Sequence, residues 1–492
     1  VASSQIWPSV KKNINCREEA DLIIIGAGPA GLFCAIKAAG SIHDDRKKHN
    51  SRIIVLEKKG TPGRKLLISG SGRSNITHGG DIQEFFSHYG EHGRFLRPAL
   101  LSFKNMDLVS FFAEKGLAMI EEESGKIFPA TGRSKDVLDI LVRECEARRI
   151  SLQCGQKVLS ISKEDHGSED GSEDGSEDGF EDGFEDGSED GFEDGSDDRF
   201  KHGIESGFEV ATEDGSYRSP LLVIATGGCS YPATGSSGDG YRFARDLGHN
   251  IIEPGPALTP IFIKDYPFRE LAGVSIPDVQ VSLQHSEKTL TNCGDILFTH
   301  EGLSGPAILD FSRYIMPGDT IRLSLMPQEK RRELEAWFLK STEENGGKSL
   351  KTLLEDLPPD FCRSAQSIPG RLTAKILEMS GIPAELKGSQ LSRHLRITLL
   401  NNLTGLPLQV ARLGGWDIAM VSRGGVDLQE VNSRTMESRL VNGLYLVGEV
   451  LDVDGDTGGY NLQAAFSTGA LAAGSIAKKL ARSGHEAGMK QV

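Results

Sequence analysis

Three glycines, Gly26, Gly28 and Gly31, follow the apolar run Leu22-Ile-Ile-Ile25 and precede an Ala-rich helical pattern from Leu32. That order suits the pyrophosphate of a dinucleotide. The first glycine permits a sharp turn, the second lets phosphate approach the backbone, and the third lets the helix pack close on the strand. The anion then sits on unpaired N–H groups at the positive end of the helix, which makes Gly26, Gly28, Pro29, Ala30 and Gly31 candidate binding residues. Next, Arg52-Ile-Ile-Val-Leu-Glu57 has the pattern of a second parallel strand, ending in an acid 26 residues after the third glycine. An acid there accepts hydrogen bonds from the adenosine ribose and disfavours a 2′-phosphate, so Glu57, with Lys58 beside it, points to resident FAD or NAD. The usual interval is about 20 residues, and the polar segment 40–50 absorbs the excess. The stretch Gly63-Arg-Lys65-Leu-Leu-Ile-Ser69-Gly70-Ser-Gly72-Arg73-Ser-Asn75 sets two basic clusters around closely spaced glycines. It suits either a backbone wrapped around a polyanion or an ordinary basic loop.

The elements that must position these groups follow from patterning. The chain has 492 residues, 38% hydrophobic and 25% charged, with no apolar run long enough for a membrane span. Its seven cysteines are odd in number and contain no C-x-x-C, which argues against a disulfide framework, a structural zinc site or a cysteine-ligated cluster. Residues 1–20 lack an apolar signal core, although the chain begins at Val1 and not Met. A cytoplasmic location is the resulting expectation. The net charge of −15 is local: residues 164–198 carry 18 carboxylates and no Lys or Arg, and the remainder is +3. Seven Ser/Phe-Glu-Asp-Gly units run from Ser168 to Gly195, a composition that cannot build a core, so 164–200 is expected to be a disordered insertion between strands at Leu152–Ser162 and Phe208–Thr212. An acidic tract also suits a partner-binding role. The near-neutral remainder gives no basic stripe, so no nucleic-acid partner is expected. Helical patterns cover Leu100–Lys115 and Asp136–Arg149, with Ser134 as an expected cap. From Thr259 to Leu325 the chain alternates as strands, and residues 329–395 switch to helical period.

Taken together, these segments resemble the BaiN/YhiN-type flavoproteins, a family of FAD-containing NAD(P)H-dependent oxidoreductases. The family pattern Lys-Leu-Leu-x-Ser-Gly-Gly-Gly-Arg-Cys-Asn is matched by Lys65, Ser69, Gly70, Gly72, Arg73 and Asn75, with Ser71 and Ser74 as departures; the latter excludes a thiol function there. Ile127-Phe-Pro-Ala resembles a further family segment, as do Leu221-Leu-Val-Ile-Ala225-Thr226-Gly227-Gly228 and the Thr/Ser-Gly-Asp-Gly run through Asp239. The last is also similar to the fumarate reductase and aspartate oxidase group. Thr299-His300-Glu-Gly-Leu-Ser-Gly-Pro306 matches another, and an imidazole such as that of His300 suits proton delivery as well as a structural hydrogen bond. The C-terminal run is the fullest match: Gly443-Leu-Tyr-Leu-Val-Gly448-Glu449-Val-Leu-Asp452-Val-Asp-Gly-Asp456-Thr-Gly-Gly459-Tyr460-Asn461-Leu462-Gln463. Glu449 and Asp452, acids past a strand, suit ribityl hydroxyls. The helix expected from Tyr460 to about Lys479 would turn its first N–H groups toward the flavin and stabilise negative charge on the reduced ring. Asp452, Asp454 and Asp456 share the 1-3-5 spacing of an EF-hand, but Thr457 and Gln463 occupy its glycine and bidentate-Glu positions, so no metal is expected.

The resemblance implies an α/β fold: a discontinuous Rossmann-like FAD-binding domain with an inserted, mostly antiparallel β domain and a small helical cap. The expected boundaries are an N-terminal arm over 1–20, the FAD domain over 21–256 and 419–492, the β domain over 257–328 and 396–418, and the cap over 329–395. The implied reaction passes a hydride from transiently bound NADH or NADPH through FAD to an unsaturated or quinone-like small molecule. An oxygen-using amine or amino-acid oxidase, or a flavin-binding regulatory protein, are the alternatives.

Overall fold

The computed structural model describes residues 17–44, 51–165, 206–285, 288–361 and 368–489; the acidic repeat lies outside them. Its centre is a five-stranded parallel sheet in the order Leu444–Leu446, Leu222–Ile224, Leu22–Ile25, Ile53–Glu57, Ser151–Cys154. The first four of these strands are buried runs of mainly Leu, Ile and Val, as a sheet covered on both faces requires, whereas the edge strand Ser151–Cys154 is half-buried. The helices Pro29–Asp44 and Tyr460–Met489 pack together against this sheet. Thus the last helix of the chain meets the first, and the Rossmann-like domain is split into two segments.

The chain leaves this domain along Ile251–Ala257 and returns along Val421–Val426, two antiparallel strands paired from Ile251 opposite Val426 to Ala257 opposite Val421. Between them six strands close into a barrel, ordered Ile261–Ile263, Gly302–Ser304, Lys288–Phe298, Ser275–His285, Thr320–Ser324, Leu406–Leu413. Closure removes the sheet edges that an open antiparallel layer would expose. Four α-helices, Arg331–Glu344, Leu350–Glu355, Gly370–Met379 and Arg393–Gly405, lie between the last two strands among the described residues. Their Leu334, Phe338, Leu372 and Leu399 share one core with Ile321 and Leu323 of the barrel. The helical segment is therefore packed onto the barrel wall, and it runs to Gly405, past the expected end at 395.

Other expectations are corrected locally. Leu152–Ser162 is two strands in different sheets: Ser151–Cys154 joins the parallel sheet, and after a turn at Gly155 the strand Val158–Asp165 joins a second sheet with Ser206–Thr212, Ser216–Ser219 and Arg17–Glu19. Asp165 is opposite Ser206, so the segment carrying the repeat connects two paired strand ends. The helix expected over Leu100–Lys115 breaks at Phe103, whose extended backbone turns its ring against Phe33 at 5.0 Å. Ser134 is inside its helix and donates to the carbonyl of Leu67 instead of capping. The C-terminal helix continues to Met489.

Candidate functional site

The three glycines do three different things. A Cβ on Gly26 would lie 2.4 Å from the Ala225 carbonyl oxygen, and Gly26 takes φ +106°. A Cβ on Gly31 would lie 2.0 Å from the Gly26 carbonyl oxygen, so its absence lets the helix close on the turn. A Cβ on Gly28 would meet nothing within 4 Å, because that backbone faces an open cavity at the start of the helix Pro29–Asp44. The cavity has a volume of about 750 Å³. It extends past Glu57 and Lys58 to the loop and helix start at Gly458–Leu462.

Glu57 stands at its strand end with Oε2 accepting the Ala27 N–H at 3.0 Å and Oε1 accepting the Lys59 N–H at 2.9 Å. Burial pushes its carboxyl pKa up, and these two bonds oppose the rise. Lys58 pairs with Asp239 and Ser237 across the cavity rim. The basic segment is not a plain loop: Arg64–Ile68 is a short helix, followed by a turn in which Gly70 and Ser71 both take positive φ. Lys65 Nζ donates to Glu449 Oε2 at 2.6 Å and also reaches Ser230, while Glu449 Oε1 accepts the Ser422 N–H at 2.9 Å. Glu449 therefore lines the cavity with its carboxylate already held. Arg73 pairs with Glu122 and lies over the Phe128 ring at 4.0 Å. Asn75 is different, for its Oδ1 is buried in the cavity wall without any hydrogen-bond partner. A buried acceptor left unpaired costs about 1–3 kcal/mol, so a ligand donor at this atom offsets that cost.

The remaining wall comes from both segments of the split domain: Ser69, Gly70, Ala225, Thr226 and Gly227 from the first, Gly448, Gly459, Asn461 and Leu462 from the second. Asn461 fixes the helix start, its Oδ1 accepting from the Gly455 N–H and its Nδ2 donating to the Gly455 carbonyl, both at 2.8 Å. Sequence reasoning did not identify the third wall, which the barrel side supplies with Leu258, Pro306, Leu309 and Met420. It is apolar. The loop before the C-terminal helix is clamped from the same side. Asp310 accepts the Thr457 N–H at 2.6 Å, and burial pushes its carboxyl up to about 6. Arg313 meets Asp454 at 3.0 Å and Asp456 at 2.7 Å, with Arg313 and Asp454 both buried; Asp456 also receives His88 at 2.9 Å. These partners are more than 140 residues apart in sequence, and no local pattern announces them.

Six sequence candidates lie outside the cavity lining. Gly31 and Gly228 serve close packing, the latter against Ser422, and Gly72 serves the turn with φ +83°. Asp452 turns away, toward the Gly424 N–H and His92 at 3.8 Å. The Tyr460 ring is stacked between His88 at 4.0 Å and His78 at 5.3 Å. His300 is exposed on the turn between the barrel strands Lys288–Phe298 and Gly302–Ser304, and no hydrogen bond brings it toward the cavity. In the EF-hand-like triplet Asp454 and Asp456 share Arg313 while Asp452 faces His92, and no group of three or more His, Cys, Asp or Glu residues among the described ones is placed to hold a metal ion. No described helix is long and apolar enough to cross a membrane.

Comparison with known proteins places these features in a lineage. The family model described as the HI0933-like protein Rossmann domain matches residues 20–177 and 198–475, and the gap falls within the acidic segment 164–200. A ribosomal RNA dihydrouridine synthase of Escherichia coli is 31% identical over 92% of this chain and 96% of its own length. A 3-dehydro-bile acid delta(4,6)-reductase of Clostridium scindens is 28% identical over 93% and 98%. A ribosomal RNA dihydrouridine synthase of Haemophilus influenzae is 29% identical over 93% and 98%. The chain therefore belongs to the HI0933-like family, the BaiN/YhiN-type flavoproteins whose motifs run from Gly26 to Gln463.

Proposed function

We propose that the protein is an FAD-dependent reductase that takes reducing equivalents from NAD(P)H and delivers them to a carbon–carbon double bond conjugated to a carbonyl. One observation carries the reading: a single cavity joins an open glycine turn to the start of a long helix, with Asn75, whose Oδ1 has no hydrogen-bond partner, in its wall. A nicotinamide nucleotide alone would need only the turn. Bound FAD supplies hydride transfer between a nicotinamide and an organic acceptor.

The chain's own residues supply position and charge. The N–H groups around Gly28 would hold the pyrophosphate, with Arg64 as a further cation in the cavity lining that has no ion-pair partner among the described residues. A carboxylate has about four lone-pair sites; Glu57 uses two on backbone N–H groups and keeps the rest for ribose hydroxyls. Asn75, in the cavity wall with an unpartnered amide oxygen, is the residue that would hold a donor of the flavin ring. The start of the helix Tyr460–Met489 carries no acid in its first turn and favours negative charge near it. Leu258, Pro306, Leu309 and Met420 exclude water on the barrel side and present an apolar surface to a flat acceptor.

The names of the relatives support the acceptor class, since dihydrouridine is uridine with its ring double bond reduced and the bile-acid enzyme is named for reduction at positions 4 and 6. The +3 balance outside the repeat favours a small acceptor; the relative at 31% identity favours a uracil ring within RNA. Screening the NAD(P)H-reduced protein against cyclic enones, quinones and a uridine-containing ribosomal RNA fragment separates these. Turnover of enone or uridine supports the reading. Turnover of quinones alone removes the double-bond specificity, and absence of bound flavin removes the reading altogether.

A further inference from the structure

A second recess lies on the opposite side of the barrel from its strands' interior, between the outer wall and the helices packed on it. It has a volume of about 640 Å³ and shares no lining residue with the first cavity. The strand Thr320–Ser324 alternates, with Ile321 and Leu323 in the core and Arg322 turned outward, directly opposite Ser282 on one neighbouring strand and Pro407 on the other. Facing this row are Thr398 and Asn401 of the helix Arg393–Gly405, and Arg331 at the start of the helix Arg331–Glu344.

The chemistry of this lining is one-sided. It holds two arginines and a set of hydroxyl and amide groups, with no Asp or Glu; the acids nearest in sequence to Arg331, Glu329 and Glu333, are not part of it. Each guanidinium has five N–H donors. Arg322 gives one to the Gly405 carbonyl at 3.3 Å, and Arg331 gives one to Thr404 Oγ1 at 3.2 Å. Neither forms an ion pair among the described residues, whereas Arg396 nearby reaches Glu335 at 3.6 Å. Two fork-shaped donors in one lining without a carboxylate, beside neutral hydroxyl and amide groups, suit the oxygens of a phosphate ester.

We infer that this groove is a phosphate-binding site, distinct from the flavin cavity, that takes the phosphates of a nucleotide or polynucleotide. The inference does not depend on the reaction proposed above. Its two possible sources are a free nucleotide, such as the phosphorylated end of a nicotinamide dinucleotide, and the phosphodiesters of RNA.

The test uses the full-length, FAD-loaded protein and titration calorimetry with inorganic pyrophosphate at low and high salt. Wild type is expected to bind, more weakly as salt rises. The R322Q and R331Q single variants and the double variant are compared with R332Q, which removes the same charge from an exposed neighbour outside the groove. Each groove arginine lost should weaken pyrophosphate by about tenfold or more, with FAD content and melting temperature unchanged, while R332Q binds nearly as wild type. Parallel titrations with NADPH and with single-stranded oligouridylate name the source, which is the probe whose affinity falls in the double variant. Failure of wild type to bind pyrophosphate, or a loss in R322Q/R331Q no greater than in R332Q, overturns the inference.

Discussion

Gly28→Val and Gly31→Ala place new atoms at two glycines three residues apart, and the structure requires opposite consequences. At Gly31 the added carbon would sit 2.0 Å from the Gly26 carbonyl oxygen, against backbone that cannot swing aside. Ordinary contact begins near 3.4 Å, so the helix Pro29–Asp44 must move off its strand by more than an ångström. Overpacking of this kind costs about 1–3 kcal/mol, and more where the obstacle is backbone. At roughly 2 °C per kcal/mol for a large domain, the apoprotein should melt several degrees lower. At Gly28 the new side chain enters empty cavity, with φ outside the left-handed region, so the apoprotein should stay within about 0.5 kcal/mol of wild type. The cost at Gly28 appears only with ligand: at a hundredfold excess over its dissociation constant a ligand adds about 2.7 kcal/mol of stability, and this increment should vanish. Thermal melts of apo and FAD-saturated protein, with flavin absorbance per chain, measure both. Full FAD occupancy in Gly28→Val, or an apoprotein destabilised as much as Gly31→Ala, would refute the assignment of the turn.

Asn75→Leu removes the orphaned acceptor, so the apoprotein should be no less stable than wild type while FAD affinity falls by about tenfold, the worth of one hydrogen bond to a buried group; fluorescence titration with FAD reads it, and unchanged affinity excludes the contact. Arg313→Met leaves Asp454 charged and buried, which should cost about 3–5 kcal/mol in urea unfolding; adding Asp454→Asn should recover part of that, and no recovery would mean the pair is not coupled. For Asp310 the sign follows from its raised carboxyl, about 6 in the folded chain against the usual value near 3.8. A raised acid binds its proton more tightly when folded, so its ionisation penalty is absent below about pH 4, grows as pH climbs from there toward 6, and is full above that. Asp310→Asn, which keeps an oxygen for the Thr457 N–H, should therefore raise the melting temperature more at pH 8 than at pH 4.5; equal shifts at both would contradict the buried, raised carboxyl.

Much of this site is legible in local pattern because its chemistry is local. Strand, glycines and helix are consecutive between Leu22 and Asp44, and Glu57 stands at the end of the next strand, so spacing alone places them beside one phosphate site. Barrel closure is not legible, since the pairing of Thr320–Ser324 with Leu406–Leu413 spans a whole helical insertion that strand alternation cannot see. Asp452 and Glu449 look alike as acids past a strand, and only tertiary contacts separate them: Glu449 turns to Lys65 and the cavity, Asp452 to Gly424 and His92. The same holds for His300, a titratable residue in a family segment whose neighbours Pro306 and Leu309 reach the cavity while it stays in solvent. The partners of the Asp454 and Asp456 carboxylates lie in the barrel and in the 84–92 turn, so the acidic triplet gains its meaning only after the chain has folded.

The central claim, a resident flavin that accepts hydride from NAD(P)H and passes it to a conjugated double bond, is tested most directly by anaerobic stopped-flow absorbance of the FAD-loaded protein. NADH or NADPH should bleach the flavin band with one equivalent per chain, and a cyclic enone or uridine-containing RNA should then restore it. Bleaching by amines or amino acids alone, or a reduced flavin that only oxygen or quinones reoxidise, would contradict the account.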